Sequence, residues 1–430
     1  MKRIFVIVLS IIFILLVIYN CKDEPPVVPP TPPPPPPNVK DTLTLTIEYV
    51  THRSIIINSK TTTNNRNSTV ELYRQFNNAD TLVAEYTITT NDTSIIDDNN
   101  GNGLQLNTNY IYYAVRLDSL GERKDSSNFV TATTLAATNF NYTWQEFALG
   151  DPGSVLYDVW GTDENNVYAV GGVYFNDTSF GVIHWNGVEW NVASQFGGGL
   201  AIHGFSANDI WTVGGTIYHF NGQVWDEILF NDQILVDNIP YYAVWGTNRN
   251  NVYFGSGRGK IIHWNGTNAQ IVYSSPDEVF VNDLDGYASD FIIGVGTGMV
   301  PPLLAVKYDG INWNDLPISS DWSLNSLSIA TRNHIYFGGD GVFELIGNNF
   351  SRIQSFGYYI WDVEYNKQTG VTVASGAFDG VYIYNGMEWR DFRGQISSDN
   401  TRYSGIFLAN NTIFCVGSTT SEAKIIIGKN

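Results

Sequence analysis

His184-Trp185-Asn186-Gly187-Val188-Glu189-Trp190 returns as His219-Phe220-Asn221-Gly222-Gln223-Val224-Trp225. Shorter copies follow at His263-Trp264-Asn265-Gly266, at Lys307-Tyr308-Asp309-Gly310 with Trp313, and at Ile383-Tyr384-Asn385-Gly386 with Trp389. Asn-Gly or Asp-Gly between apolar runs predicts a two-residue type I′ hairpin. Each copy therefore reads as a strand c, a tight turn and a strand d. Ahead of these pieces lies a strand b that ends in glycine, at Gly171, Gly214, Gly255, Gly296, Gly338, Gly376 and Gly417. The spacings are 43, 41, 41, 42, 38 and 41 residues, the length of a four-stranded propeller blade. Strand a precedes each glycine, as in Val159-Trp160-Gly161-Thr162 and Val244-Trp245-Gly246-Thr247.

The seventh copy runs from Tyr403 to Ile427 and lacks strand d. Its counterpart lies at the other end. Trp144-Gln145-Glu146-Phe147 matches Trp225-Asp226-Glu227-Ile228 and Trp389-Arg390-Asp391-Phe392. An N-terminal strand that completes the last sheet removes two open edges. Residues 137–430 are thus expected to form a seven-bladed β-propeller closed by an N-terminal d strand. The Gly-Gly pairs at 171–172, 214–215 and 338–339, followed by an aromatic and then Trp, resemble kelch repeats. The Trp-Gly-Thr segments are similar to propellers common in bacterial surface lipoproteins. That resemblance implies a fold, not an activity.

Residues 41–136 alternate with period two between turn clusters. Leu43–Val50, Ser54–Asn58, Thr69–Arg74, Leu82–Thr89, Tyr110–Leu117 and Asn128–Thr134 read as strands of an immunoglobulin-like sandwich. Leu104-x-x-x-Thr108-x-Tyr110, with Tyr112 and Ala114, resembles the tyrosine corner of fibronectin type III domains, which imply a spacer. The fold class expected for the whole chain is all-β, sandwich then propeller. Asp98-Asn99-Asn100-Gly101-Asn102-Gly103 matches the first half of a calcium loop, but Asn109 stands where a bidentate Glu is needed. A turn-rich loop is the other reading.

Lys2 and Arg3 precede an apolar run from Ile4 to Tyr19, the layout of a signal peptide over residues 1–20. The run ends at Cys21 and resembles a relaxed bacterial lipobox, which implies lipidation of Cys21 and a membrane anchor there. An uncleaved membrane anchor is the alternative. Cys21-Lys22-Asp23-Glu24 is similar to surface-export signals of some lipoproteins, which implies an outer-membrane lipoprotein exposed at the cell surface. Ten of the 16 prolines fall between Pro25 and Pro37. Residues 21–40 are therefore expected to be an extended stalk, spanning up to roughly 60 Å at 3.1 Å per residue.

The whole chain has 430 residues, 23 Lys plus Arg against 42 Asp plus Glu, and a net charge of −19. Such a balance excludes a general nucleic-acid binder. Two cysteines exclude a disulfide framework. Cys415, in Ile413-Phe414-Cys415-Val416, reads as a core thiol. His184, His219 and His263 share one repeat register, so the ring separates them too far to meet on one ion. No metal and no cofactor are expected. No sialidase box, no G-x-S-x-G, no H-E-x-x-H and no P-loop occurs.

In a four-stranded meander the b–c and d–a connections share one face, and here they vary in length. Variable loops on a fixed scaffold carry specificity. They hold Tyr174, Phe175, Phe230 and Trp322 beside Asp177, Asp232, Asp237 and Asp321. Aromatics beside carboxylates suit sugar rings. Trp322, Asp321, Tyr174, Phe175 and Phe230 are the candidate ligand contacts for a glycan or a protein partner, without catalysis. A glycan-active enzyme with its site at the channel mouth on that face is the alternative, since paired carboxylates are not visible in a sequence.

Overall fold

The computed structural model describes residues 42–62, 67–230, 240–277, 279–298, 303–318, 322–396 and 399–430. The leader, Cys21, the stalk, Asp232, Asp237 and Asp321 lie outside them. The described residues are built of strands, with one 3-10 turn at Arg393–Gln395 and no α-helix. None of their elements is a helix long and apolar enough to cross a membrane.

The first eight strands are β1 (Leu43–Val50), β2 (Ile55–Thr61), β3 (Thr69–Phe76), β4 (Ala79–Thr87), β5 (Asp92–Asp97), β6 (Asn109–Leu117), β7 (Arg123–Ser126) and β8 (Val130–Thr133). They pair as β1-β2-β5 and as β4-β3-β6-β7, with β8 also on β6. Both sheets send alternate apolar residues into one core: Leu43, Leu45, Ile55 and Ile57 from one, Val70, Leu72, Tyr110 and Tyr112 from the other. The Tyr110 hydroxyl accepts the Gln105 N–H at 3.0 Å. Inside the core, Arg74 donates to both oxygens of Asp97 at 2.8 and 3.0 Å, and Tyr112 donates to the same carboxylate at 2.8 Å. The pair is nearly dry, so each charge depends on the other.

From Thr143 onward the described residues form seven four-stranded antiparallel sheets. Sheet 1 is Val155–Asp163, Asn166–Phe175, Thr178–Trp185 and Trp190–Ser194. Sheets 2 to 7 begin with innermost strands Ala201–Ser206, Tyr241–Asn248, Val279–Ala288, Leu324–Thr331, Ile360–Tyr365 and Arg402–Ala409. Each innermost strand packs on the next, and the seventh packs on the first. In sheet 7 the outer strand is β9 (Thr143–Leu149), which pairs with Ala423–Lys429 from Leu149↔Ala423 to Thr143↔Lys429. Phe140, Tyr142 and Trp144 then lie on Phe392, which is fully buried, with ring centroids 6.1, 5.7 and 5.6 Å away. Cys415 is fully buried in this region, and burial pushes its thiol well up.

The Asn-Gly hairpins differ from the expected two-residue turns. Trp185 pairs with Trp190, so the loop holds four residues. Only Gly187 has positive φ, +90°. The Asn186 side-chain oxygen accepts the Val188 and Glu189 N–H groups at 2.9 Å each. A type I′ turn needs positive φ at both central residues; here the Asn side chain supplies the turn's bonds instead. Asn221, Asn265, Asp309 and Asn385 repeat the arrangement.

The recurring glycine of strand b has a steric cause. Strand a bulges at its entry in six sheets, for example between Leu156 and Asp158 and between Val281 and Asp283. A Cβ on Gly171 would meet the Val155 carbonyl oxygen at 2.1 Å, and one on Gly296 the Phe280 oxygen at 1.7 Å. The bulge brings strand a's backbone onto strand b, and only glycine admits it.

Candidate functional site

The bulge leaves one residue of strand a unpaired at the entry of each of those six sheets, and the seven equivalent positions form a ring. They are Tyr157, Leu200, Tyr242, Asn282, Asn325, Trp361 and Ser404. All seven line one cavity of about 410 Å³ at the axial mouth of the ring. Strand a starts there, so this mouth lies on the face of the b–c and d–a connections. Phe280 packs edge-on against Tyr242 at 5.3 Å, and the Arg402 guanidinium lies 4.8 Å over the Trp361 ring. The Trp361 indole N–H is buried and has no hydrogen-bond partner among the described residues.

Below the ring, carboxylates staple neighbouring sheets together. Asp158 accepts the N–H of Ile202 on the next sheet at 2.9 Å; Asp283 does so from Leu327 at 2.8 Å, Asp285 from Ile329 at 2.7 Å and Asp362 from Ile406 at 2.7 Å. Each also accepts the N–H of its own following residue at 2.7–2.8 Å. Both oxygens of every one of these groups are therefore used by backbone. Desolvation in the channel nevertheless raises their pKa values, that of Asp158 to about 6 and that of Asp362 to about 7, the latter also through the Asp158 charge. Burial and neighbouring carboxylates push Asp283 and Glu364 well up.

The anticipated ligand residues do not converge. Phe230 is 6% exposed and stacks on Trp264 at 6.0 Å and 26°, within the core between sheets 2 and 3. It is core, not a contact surface, because its ring is enclosed by Tyr241, Phe254 and Trp264. Tyr174 and Phe175 end a strand joined to Thr178–Trp185 by the two-residue turn Asn176-Asp177, with φ +48° and +64°. That connection is a tight hairpin, not a loop; Tyr174 is exposed, while Phe175 packs on Phe180. Trp322 packs on Phe343 at 5.6 Å with Arg352 over its ring at 4.3 Å, at the edge of a core cluster. Trp322 is thus partly buried in blade packing. None of these four lines the mouth, and Asp321 lies outside the described residues.

The mouth residues share a sequence signal that lies in the strands, not in the variable loops. They occupy one repeat position, three residues before the Trp of Trp160-Gly161 and of Trp245-Gly246. The position is constant and its side chain changes from sheet to sheet.

The repeated histidines bond within their own sheets. His184, His219 and His263 sit 2.7 Å from Asn166, Asp209 and Asn251, and their rings stack on Tyr168, Trp211 and Tyr253. Among the described residues no group of His, Cys, Asp and Glu is placed to hold a metal. In the Asp98–Gly103 loop, Arg74 takes the Asn99 side-chain oxygen at 3.1 Å and Arg53 the Asn102 carbonyl at 2.8 Å. Asp98 accepts the Gly101 N–H at 3.0 Å. Guanidinium groups thus occupy oxygens that a calcium loop would need, consistent with the turn reading.

The architecture is similar to known β-propellers. YCF48 bound to D1 peptide aligns with a TM-score of 0.52 and 14% identity over 69% of this chain and all of that one. The WD40 propeller domain of Doa1 aligns with 0.50 and 12%, over 67% and 97%. YCF48 from Cyanidioschyzon merolae aligns with 0.50 and 15%, over 66% and 98%. At these identities the likeness concerns the fold alone. No protein-family model matches the sequence, and no curated protein matches it.

Proposed function

We propose that the protein is a binding module whose axial mouth grips a segment of a protein partner. The observation that carries this reading is the ring of seven equivalent positions, six of them unpaired in strand a, around one 410 Å³ cavity, with Tyr157, Tyr242, Phe280 and Trp361 among its lining residues. Aromatic faces beside the Asn282 and Asn325 amides offer stacking surface and backbone-like hydrogen bonds, which suits an extended peptide. A propeller of similar fold, YCF48, is known with a peptide bound. The seven sheets count as seven blades of one ring. The strand order and the Tyr110 corner support a fibronectin type III-like spacer. The spacer docks on the opposite face, through Tyr49 on Tyr365 and Ser94 on Asn333. With Cys21 lipidated and the Pro-rich segment as a stalk, the mouth points away from the membrane at the cell surface.

Selection of random displayed peptides on the full chain tests this. Enriched peptides should bind Trp361→Ala or Tyr242→Ala about thirtyfold more weakly, the loss of a typical interface hot spot of about 2 kcal/mol. Absence of enrichment, or equal binding to the variants, contradicts the reading.

A glycan-active enzyme is the second reading, favoured by Asp362, whose pKa of about 7 matches a general acid's need. The backbone N–H groups on both its oxygens favour the structural role instead. Release of reducing sugar from polysaccharides, lost in Asp362→Asn, would favour the enzyme.

A further inference from the structure

The face opposite the mouth carries a second cavity, of about 370 Å³, where the sandwich meets sheets 5 and 6. Cavities at domain junctions are favoured ligand positions, and about 300–1,000 Å³ is the usual size for a small molecule. Both bodies supply its walls. His52, Arg53 and the Asp98–Gly103 loop come from the sandwich; His334, Glu344, Tyr384 and Trp389 come from the propeller.

His52 fixes the junction. It lies against Gly370 and Gly386, where a Cβ would come within 2.4 and 2.2 Å of its ring. It is 3% exposed. Burial lowers its pKa, and the ring donates one N–H to the Ala136 carbonyl. A neutral imidazole with one nitrogen donating has an acceptor on the other. That nitrogen, Nε2, is buried and has no hydrogen-bond partner among the described residues.

The rest of the wall has matching chemistry. The Tyr384 and Trp389 rings meet at 5.4 Å and give an aromatic side. Glu344, 3.3 Å from His334 Nε2, is a half-buried acceptor. Arg53 is exposed, and its guanidinium reaches the loop carbonyl of Asn102. Donors and acceptors are mixed, and one Arg stands against one Glu and one Asp. The wall therefore selects no strong charge. A ring with an apolar C–H face and a rim of hydroxyls satisfies all of these groups together.

We infer that the junction between sandwich and propeller is a second binding site, for a neutral saccharide. One sugar ring stacks on the Tyr384–Trp389 side. Its hydroxyls donate to Glu344 and accept from Arg53. The site is independent of the axial mouth, which opens on the other face.

The test uses the full chain and a panel of neutral sugars at millimolar concentration: glucose, galactose, mannose, N-acetylglucosamine, cellobiose and maltose. Saturation-transfer NMR reads binding, and circular dichroism checks folding. At least one sugar is expected to bind. Its Kd should rise tenfold or more in Arg53→Ala and in Glu344→Gln, and stay within twofold in Trp361→Ala. Arg53 is exposed, so its variant keeps the test open should the Glu344 variant fold poorly. Three results overturn the inference: no sugar of the panel binds, binding survives in Arg53→Ala, or binding is lost in Trp361→Ala. The last would place the sugar in the mouth and would count against the peptide reading as well; the first two leave that reading untouched.

Discussion

Replacing Phe392 by Ala should loosen the closure of the ring before anything else. Phe392 is fully buried and holds three rings, Phe140 and Tyr142 of the segment leading into β9 and Trp144 of β9 itself. Truncating a buried Phe costs about 3–5 kcal/mol. Aromatic pairs add about 0.5–1.5 kcal/mol beyond burial, so the loss should be about 4–6 kcal/mol. At about 2 °C per kcal/mol for a body of this size, the melting temperature should fall by about 10 °C. The seven-residue pairing of β9 with Ala423–Lys429 remains, but its packing support is gone. Hydrogen exchange followed by mass spectrometry should show faster exchange in β9 and in Ala423–Lys429, with sheets 2 to 4 near the parent. A cycle with Trp144→Ala should give a coupling of about 1 kcal/mol. Unchanged protection of β9, or a loss under about 1.5 kcal/mol, would refute the argument that these aromatics hold the ring shut.

Trp322→Ala should lower stability by about 2–3 kcal/mol, measured by urea unfolding, because the Phe343 and Arg352 contacts go with it; affinity for mouth-selected peptides should stay unchanged. Asp97→Ala leaves Arg74 charged in the sandwich core and should cost about 3–5 kcal/mol, read as an early unfolding step of the sandwich. The channel carboxylates make stability depend on pH. Asp158 and Asp362 have folded pKa values of about 6 and 7, above the ordinary carboxylate value, so the folded state binds more protons between about pH 4 and pH 7. Their contribution is complete below about pH 4 and is lost as pH rises through 6 and 7. Thermal melts should therefore peak higher at pH 5 than at pH 8, and Asp362→Asn should flatten that slope; a parent slope of the opposite sign counts against the buried channel carboxylates.

The repeats were readable because sterics stamp them on the sequence. The bulge in strand a demands Gly171 and Gly296 in strand b. The side-chain-bonded turn demands Asn186 and Gly187. The His184–Asn166 bond and its copies hold two strands together and recur for that reason. The mouth was hidden by the same regularity. Tyr157, Tyr242 and Trp361 look like ordinary strand aromatics until the bulge turns them onto one cavity. Phe230 and Trp322 stand beside polar residues in the chain, yet they pack on Trp264 and Phe343, partners 34 and 21 residues away. Strand β5, Asp92-Thr93-Ser94-Ile95-Ile96-Asp97, carries too little apolar alternation to read as a strand; its pairing with β2 and the burial of Ile95 place it. The junction cavity depends on how two bodies meet, which period and spacing do not encode.

The most direct test is a photo-crosslinking amino acid at Tyr242, in the mouth, and separately at Val188, which is 79% exposed on a c–d turn of the opposite face. Both forms are expressed in the native cell and irradiated, and the adducts are sequenced. The mouth position should crosslink to one defined segment of one protein, and the adduct should disappear in the Trp361→Ala background, with Val188 giving none. No adduct at Tyr242, or the same adducts at both positions, would contradict a peptide-binding mouth.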